Sequence, residues 1–162
     1  MPGSGKSTLG RELAGYLDIS FYDLDHYIEQ QAGKDINRIF QEDHESGFRA
    51  IEKSCLQSLT ELPEAKVIAT GGGTPCFHDN MDYMNEQGTT VFLDVPLEII
   101  AERLSSQGTE ERPLLKNKTP RELLGQLHQH FEQRKPYYLE ARIHLEGGAI
   151  TLEHIINELS TL

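Results

Sequence analysis

A chain of 162 residues, 37% hydrophobic and 25% charged, has the size and balance of one folded domain, which excludes a disordered tract and a second core. Its formal charge of −11 excludes a sequence-independent nucleic-acid binder, because such binding needs Lys and Arg to neutralise phosphates. Two cysteines, Cys55 and Cys76, are too few for a disulfide framework, and no apolar run approaches the ~20 residues that span a bilayer, so a reducing cytoplasm is expected.

Pro2-Gly3-Ser4-Gly5-Lys6-Ser7-Thr8 opens the chain, directly before a stretch from about Lys6 to Leu17 that places Leu9, Leu13, Ala14 and Leu17 on one helical face. This is the working end of a Walker A loop. The glycines let backbone N–H groups turn inward and the helix N-terminus adds positive potential. Lys6 then reaches the outer phosphates and the Ser7 hydroxyl can ligate Mg²⁺, so Gly3, Ser4, Gly5, Lys6, Ser7 and Thr8 are the candidate ATP-binding residues. The full pattern requires a glycine five residues before Gly5, ahead of Met1, and the strand that feeds such a loop is lacking too. The expectation is a sheet without its first, central strand and a native start upstream.

Short β-type runs at Ile19 to Tyr22, Val67 to Thr70, Thr90 to Leu93 and Ala141 to Leu145 alternate with helical stretches, which predicts an α/β parallel sheet flanked by helices. After the first run, Asp23-Leu24-Asp25 puts two carboxylates on one side if the extended geometry persists. One can bind Mg²⁺ through water and the other can accept a hydroxyl proton, the two roles phosphoryl transfer needs; the alternative is a solvated strand end. From Asp23 to about Ser58 runs a helical insertion too long for a simple crossover. Thr70-Gly71-Gly72-Gly73-Thr74-Pro75 follows a strand, where glycines allow close backbone approach to a ligand. Residues from about Ser105 to Pro120 are polar and read as a flap. Leu152, Ile155, Ile156 and Leu159 form the apolar face of a closing helix.

Together, Pro-Gly-Ser-Gly-Lys-Ser-Thr at 2 to 8, Asp23-Leu24-Asp25, Gly47-Phe48-Arg49 with Glu52, Thr70-Gly71-Gly72-Gly73, Arg112-Pro113-Leu114-Leu115 and Arg134-Lys135-Pro136-Tyr137-Tyr138 resemble the shikimate kinase family in order and spacing. The resemblance runs from Met1 to about Tyr138. It implies one P-loop kinase-like domain over 1–162 that moves a phosphoryl group from ATP, with Mg²⁺, to the 3-hydroxyl of shikimate, on the route to chorismate and aromatic amino acids. A cytoplasmic monomer is implied as well. By matching position, Asp25 would bind the shikimate hydroxyls and act as base, and Asp23 would sit near Mg²⁺ through water. Arg49 and Arg134 would clamp the carboxylate, while Gly72, between Gly71 and Gly73, would meet substrate through its backbone. Lys6 and Arg112, the latter on the flap, would stabilise the transferring group. Arg103 aligns loosely with an arginine that stacks on adenine, and Phe40 and Phe48 resemble pocket-lining residues, Phe48 the better match.

Physical chemistry supports the arginine roles independently, since a planar guanidinium meets a carboxylate with two parallel hydrogen bonds. The competing reading of Arg49 is a surface ion pair with Glu45 or Glu52, worth about 0.3–0.5 kcal/mol. Tyr137 and Tyr138 are expected beside Arg134. His128 and His130 are read as surface residues and Cys76 as an ordinary thiol. Two other functions stay open at this point: a gluconate kinase-like enzyme for another small acid, and a P-loop module that binds without turnover.

Overall fold

The computed structural model describes residues 1–106 and 120–162. Helix α1 (Lys6–Leu17) begins at Gly5, whose φ of 95° is a left-handed conformation that a side chain would strain. It buries Leu13 and Ala14, but Leu17 is 44% exposed and leaves the expected apolar face. The helix ends at Asp18, itself left-handed, whose N–H caps the Ala14 and Gly15 carbonyls and turns the chain toward β1. That places the last turn beyond the packed part of the helix.

The remaining elements follow the predicted alternation. They are β1 (Ser20–Asp23), α2 (Leu24–Ala32), α3 (Ile36–Thr60), β2 (Lys66–Ala69), a 3-10 turn at Thr74–Cys76, α4 (Asn80–Gln87), β3 (Val91–Asp94), α5 (Leu97–Ser106), α6 (Pro120–Tyr138), β4 (Ile143–Glu146) and α7 (Leu152–Leu159). Each strand falls within two residues of its predicted start. β1 pairs parallel with β2, from Ser20 opposite Lys66 to Asp23 opposite Ala69; β3 pairs parallel with β4, from Val91 opposite Ile143 to Asp94 opposite Glu146. Parallel pairing therefore holds within each pair, and among the described residues no strand hydrogen-bonds one pair to the other.

Three apolar clusters fix the helices. α1 and α7 pack through Leu13 and Ile155 onto Leu93, Ile143 and Leu145. A capping box at Thr151 and His154 starts α7, so its apolar face is set from the first turn. Met1, Phe92, Val95, Ile100, Leu104, Leu127 and Tyr138 join α5 and α6 to β3. Leu24, Ile28, Ile39, Phe48, Leu56 and Leu59 bind α2 to α3, which together make the predicted insertion.

α3 is bent at His44, where φ 58° and ψ −176° interrupt the helix, and Phe40 and Phe48 stack across the bend with ring centroids 4.5 Å apart. Both rings serve the α2–α3 core. Beyond the bend, Arg49 and Glu52 are carried inward on a buried face.

Candidate active site

Gly3 and Gly5 both have positive φ, 75° and 95°, and fold the opening loop back on itself. Ser4 Oγ and Lys6 Nζ donate to the Met1 carbonyl at 2.9 and 2.6 Å. At the start of α1, Ser7 Oγ donates to Asp23 Oδ2 at 2.6 Å. Asp23 Oδ1 accepts from the N–H groups of Asp25 and His26, so one carboxylate both caps α2 and faces the loop. The extended geometry expected through Asp25 does not persist, because this cap turns the chain into helix at Leu24.

The three consecutive glycines after β2 are where the site converges. A Cβ on Gly71 would lie 3.0 Å from Asp25 Oδ1 and 3.3 Å from Glu52 Oε1; one on Gly72 would lie 3.4 Å from Arg134 Nη1; one on Gly73 would lie 2.5 Å from Arg49 Nη2. A side chain at Gly71 or Gly73 would push against a charged group, whereas at Gly72 it would only touch one, so the first and third glycines are the ones that close approach requires. The structure thereby brings Asp25, Arg49 and Arg134 to adjacent residues of one loop.

Solvent reaches Asp25, yet its pKa is pushed up to about 6, first by partial burial of the carboxyl, then by the Asp23 and Glu52 carboxylates, with Lys6 pulling the other way. A base that loses its proton near 6 is ionised at neutral pH and still basic enough to take one.

Arg49 donates to Glu52 Oε2 at 2.7 Å and reaches Glu45 at 3.4 Å. The pairing anticipated for it is therefore real, but it is not a surface bridge: Arg49 is 7% and Glu52 1% exposed. Glu52 also accepts from Thr74 Oγ1 at 2.7 Å, which ties α3 to the glycine turn. The Phe77 ring lies 4.2 Å under the guanidinium. Arg49 Nε is buried and finds no hydrogen-bond partner among the described residues. An unpaired buried donor costs about 1–3 kcal/mol, which favours a ligand oxygen beside it.

Glu52 and Thr74 lie within motifs singled out in the sequence, but their bond to each other and the place of Phe77 under Arg49 have no sequence signal. Tyr138 is buried beside Arg134, whereas Tyr137 is exposed, so only one of the two tyrosines packs as expected. Burial raises the Cys76 thiol pKa, in keeping with an unreactive thiol. His128 and His130 are exposed on α6. Arg103 donates to the carbonyls of Gly3 and Gly148, joining the loop to the turn after β4. Arg112 and most of the expected flap lie outside the described residues.

Residues 2–161 match the family described as shikimate kinase. The shikimate kinase of Parabacteroides distasonis is 40% identical over 98% of this chain and 90% of that protein; that of Bacteroides fragilis is 47% identical over 86% and 76%. A solved shikimate kinase from Bacteroides thetaiotaomicron superposes with a TM-score of 0.90 at 38% identity, covering 99% of this chain and 94% of that one. The shikimate kinase from Acinetobacter baumannii in complex with shikimate superposes with a TM-score of 0.83 at 32% identity, covering 99% and 86%.

Proposed function

Because this chain belongs to the shikimate kinase family, we propose that the cleft around Gly71, Gly72 and Gly73 is where it transfers the ATP γ-phosphoryl group to the 3-hydroxyl of shikimate. The convergence of Asp25, Arg49 and Arg134 on that one loop carries the reading. Two cations suit a carboxylate, and a carboxylate base beside them suits a hydroxyl on the same small molecule.

In this reading Arg49 and Arg134 hold the acid end of the substrate and the glycine backbone meets its body. Asp25 accepts the proton of the reacting hydroxyl as that oxygen attacks phosphorus. Lys6 neutralises charge on the outer phosphates, and Arg112 does so from the flap, whose closure would exclude water. Arg103, at the base of the loop, is placed near the adenine.

The residues at the loop fit Mg²⁺. Ser7 Oγ and Asp23 Oδ2 are two hard oxygen donors already 2.6 Å apart. That suits an ion that draws most of its ligands from phosphates and water. Ser7 would hold the ion directly and Asp23 through water, and the ion would supply neutralisation of phosphate charge. Asparagine at 23 keeps the helix cap but not the charge. Asp23→Asn is thus expected to raise the Mg²⁺ concentration for half-maximal rate by roughly 10–100-fold with little loss of melting temperature; an unchanged Mg²⁺ profile would remove Asp23 from the metal's surroundings.

The deciding assay is ADP release on addition of shikimate. Release with gluconate instead would favour another small-acid kinase, and calorimetric shikimate binding without ADP would favour a binding module. The same reading takes the enzyme as a cytoplasmic monomer, as the family resemblance implies; no described helix is long and apolar enough to cross a membrane.

A further inference from the structure

We propose that Tyr138 is a positioning residue of the acceptor site, its hydroxyl holding the Arg134 guanidinium and the Gly72–Gly73 peptide in one arrangement before the acid arrives. The proposal rests on the acceptor-site reading above.

Arg134 and Tyr138 stand four residues apart on α6 and so share a face. The Tyr138 ring is wedged beside Phe92 and Phe131, with centroids 5.0 and 6.4 Å away, which fixes where its hydroxyl falls. Tyr138 Oη donates to the Gly72 carbonyl at 2.6 Å. The positive Arg134 guanidinium lies near enough to act electrostatically on the same hydroxyl. Both groups meet at one point, since a Cβ on Gly72 would lie 3.4 Å from Arg134 Nη1 and 3.6 Å from Tyr138 Oη.

The directions of these bonds follow from the donor inventory. A phenol has one proton, which Oη gives to the Gly72 carbonyl at 2.6 Å in preference to Met1 Sδ at 3.6 Å, and its lone pairs are left for the Arg134 guanidinium, which can only donate. Burial pushes the Tyr138 pKa up to about 12, so the hydroxyl keeps its proton throughout the working range. Because the peptide is planar, holding the Gly72 carbonyl also sets the opposed Gly73 N–H. A plain packing role would be met by the ring alone. The hydroxyl adds a link between two parts of the acceptor site that are 62 residues apart in sequence, from Gly72 to Arg134.

Tyr138→Phe removes that link, together with a weak 3.6 Å contact to Met1 Sδ, and leaves the ring in place. Steady-state kinetics should show the shikimate KM raised about tenfold, from a lost hydrogen bond to a charged partner, with kcat and the ATP KM unchanged within about twofold. Combined with Arg134→Ala, the phenylalanine should add nothing, because its effect runs through the missing guanidinium. The rise in melting temperature on adding shikimate should shrink in parallel, a readout independent of turnover. An unchanged shikimate KM, an equal rise in both KM values, or additive effects in the double variant would each overturn the proposal, as would a lower melting temperature with unaltered kinetics. If Arg134→Ala itself left the shikimate KM unchanged, the acceptor-site reading would be the one to fail.

Discussion

Asp25→Asn is expected to lower kcat by about two to four orders of magnitude while changing the shikimate KM far less. The range is that of a positioned general base, and the asparagine amide still offers an oxygen to the hydroxyl it no longer deprotonates. The pH profile identifies the group. In the parent protein the rate should fall as pH drops through about 6, because that is where the Asp25 carboxylate takes up its proton. In the variant this limb should vanish. A limb that survived the substitution would assign the ionisation to another residue and take the base role from Asp25.

The same shift has an opposite consequence for stability. The Asp25 pKa is raised from 3.8 in the ordinary state to about 6 in the fold, so between these values the folded state holds more proton than the unfolded one. Stability then decreases as pH rises through that window, and the ionised group disfavours the fold at neutral pH. Asp25→Asn should accordingly melt higher than the parent at pH 7, with the difference closing as pH approaches 4. The carboxylate is retained against stability, as expected of a group held for chemistry.

Arg49→Ala is expected to act on two quantities at once. Losing charge-assisted hydrogen bonds to the substrate carboxylate should raise the shikimate KM roughly 100-fold or more. It also leaves Glu52, 1% exposed, without its cation, and breaking a buried pair costs about 3–5 kcal/mol. A fall in melting temperature on the order of 10 °C should follow for a chain of this length. Glu52→Gln in the Arg49→Ala background separates the effects. It removes the stranded charge and keeps an oxygen for Thr74, so most of the melting temperature should return while the shikimate KM stays high. Recovery of KM as well would mean that Arg49 only supports the fold.

The nucleotide end of the site was legible because its chemistry is local. Gly3 to Thr8 are contiguous, a loop running straight into the first turn of α1, and the positive φ of Gly3 and Gly5 is the conformation that only glycine takes cheaply. Alternating β-type runs and amphipathic stretches likewise located strands to within two residues. The bend at His44 has one local mark, Ser46-Gly47 just beyond it, where a Cβ on Gly47 would meet Asp43 Cβ at 2.6 Å, but its position was not legible; Phe40 stacks on Phe48 across it within the surrounding core. The exposure of Leu17 was missed for a related reason, because periodicity assigns a face but not how far the packing extends.

By itself the sequence determined which residue types were available: a phosphate loop, paired carboxylates, a glycine run, and arginines at 49 and 134. It determined the family through their order. Only the tertiary structure decided that Gly71, Gly72 and Gly73 each meet a different member of that set. It also decided that Arg49 is held by a buried Glu52, which Thr74 holds in turn, and that the Tyr138 hydroxyl meets the Gly72 carbonyl next to Arg134. The reason is distance along the chain. A pKa near 6 at Asp25 comes first from burial in the packed site, then from neighbouring Asp23 and from Glu52, 27 residues away by numbering, and Tyr138 reaches Gly72 across a separation of 66. Such contacts exist only once α3, the glycine turn and α6 have packed together, so no local pattern carries them.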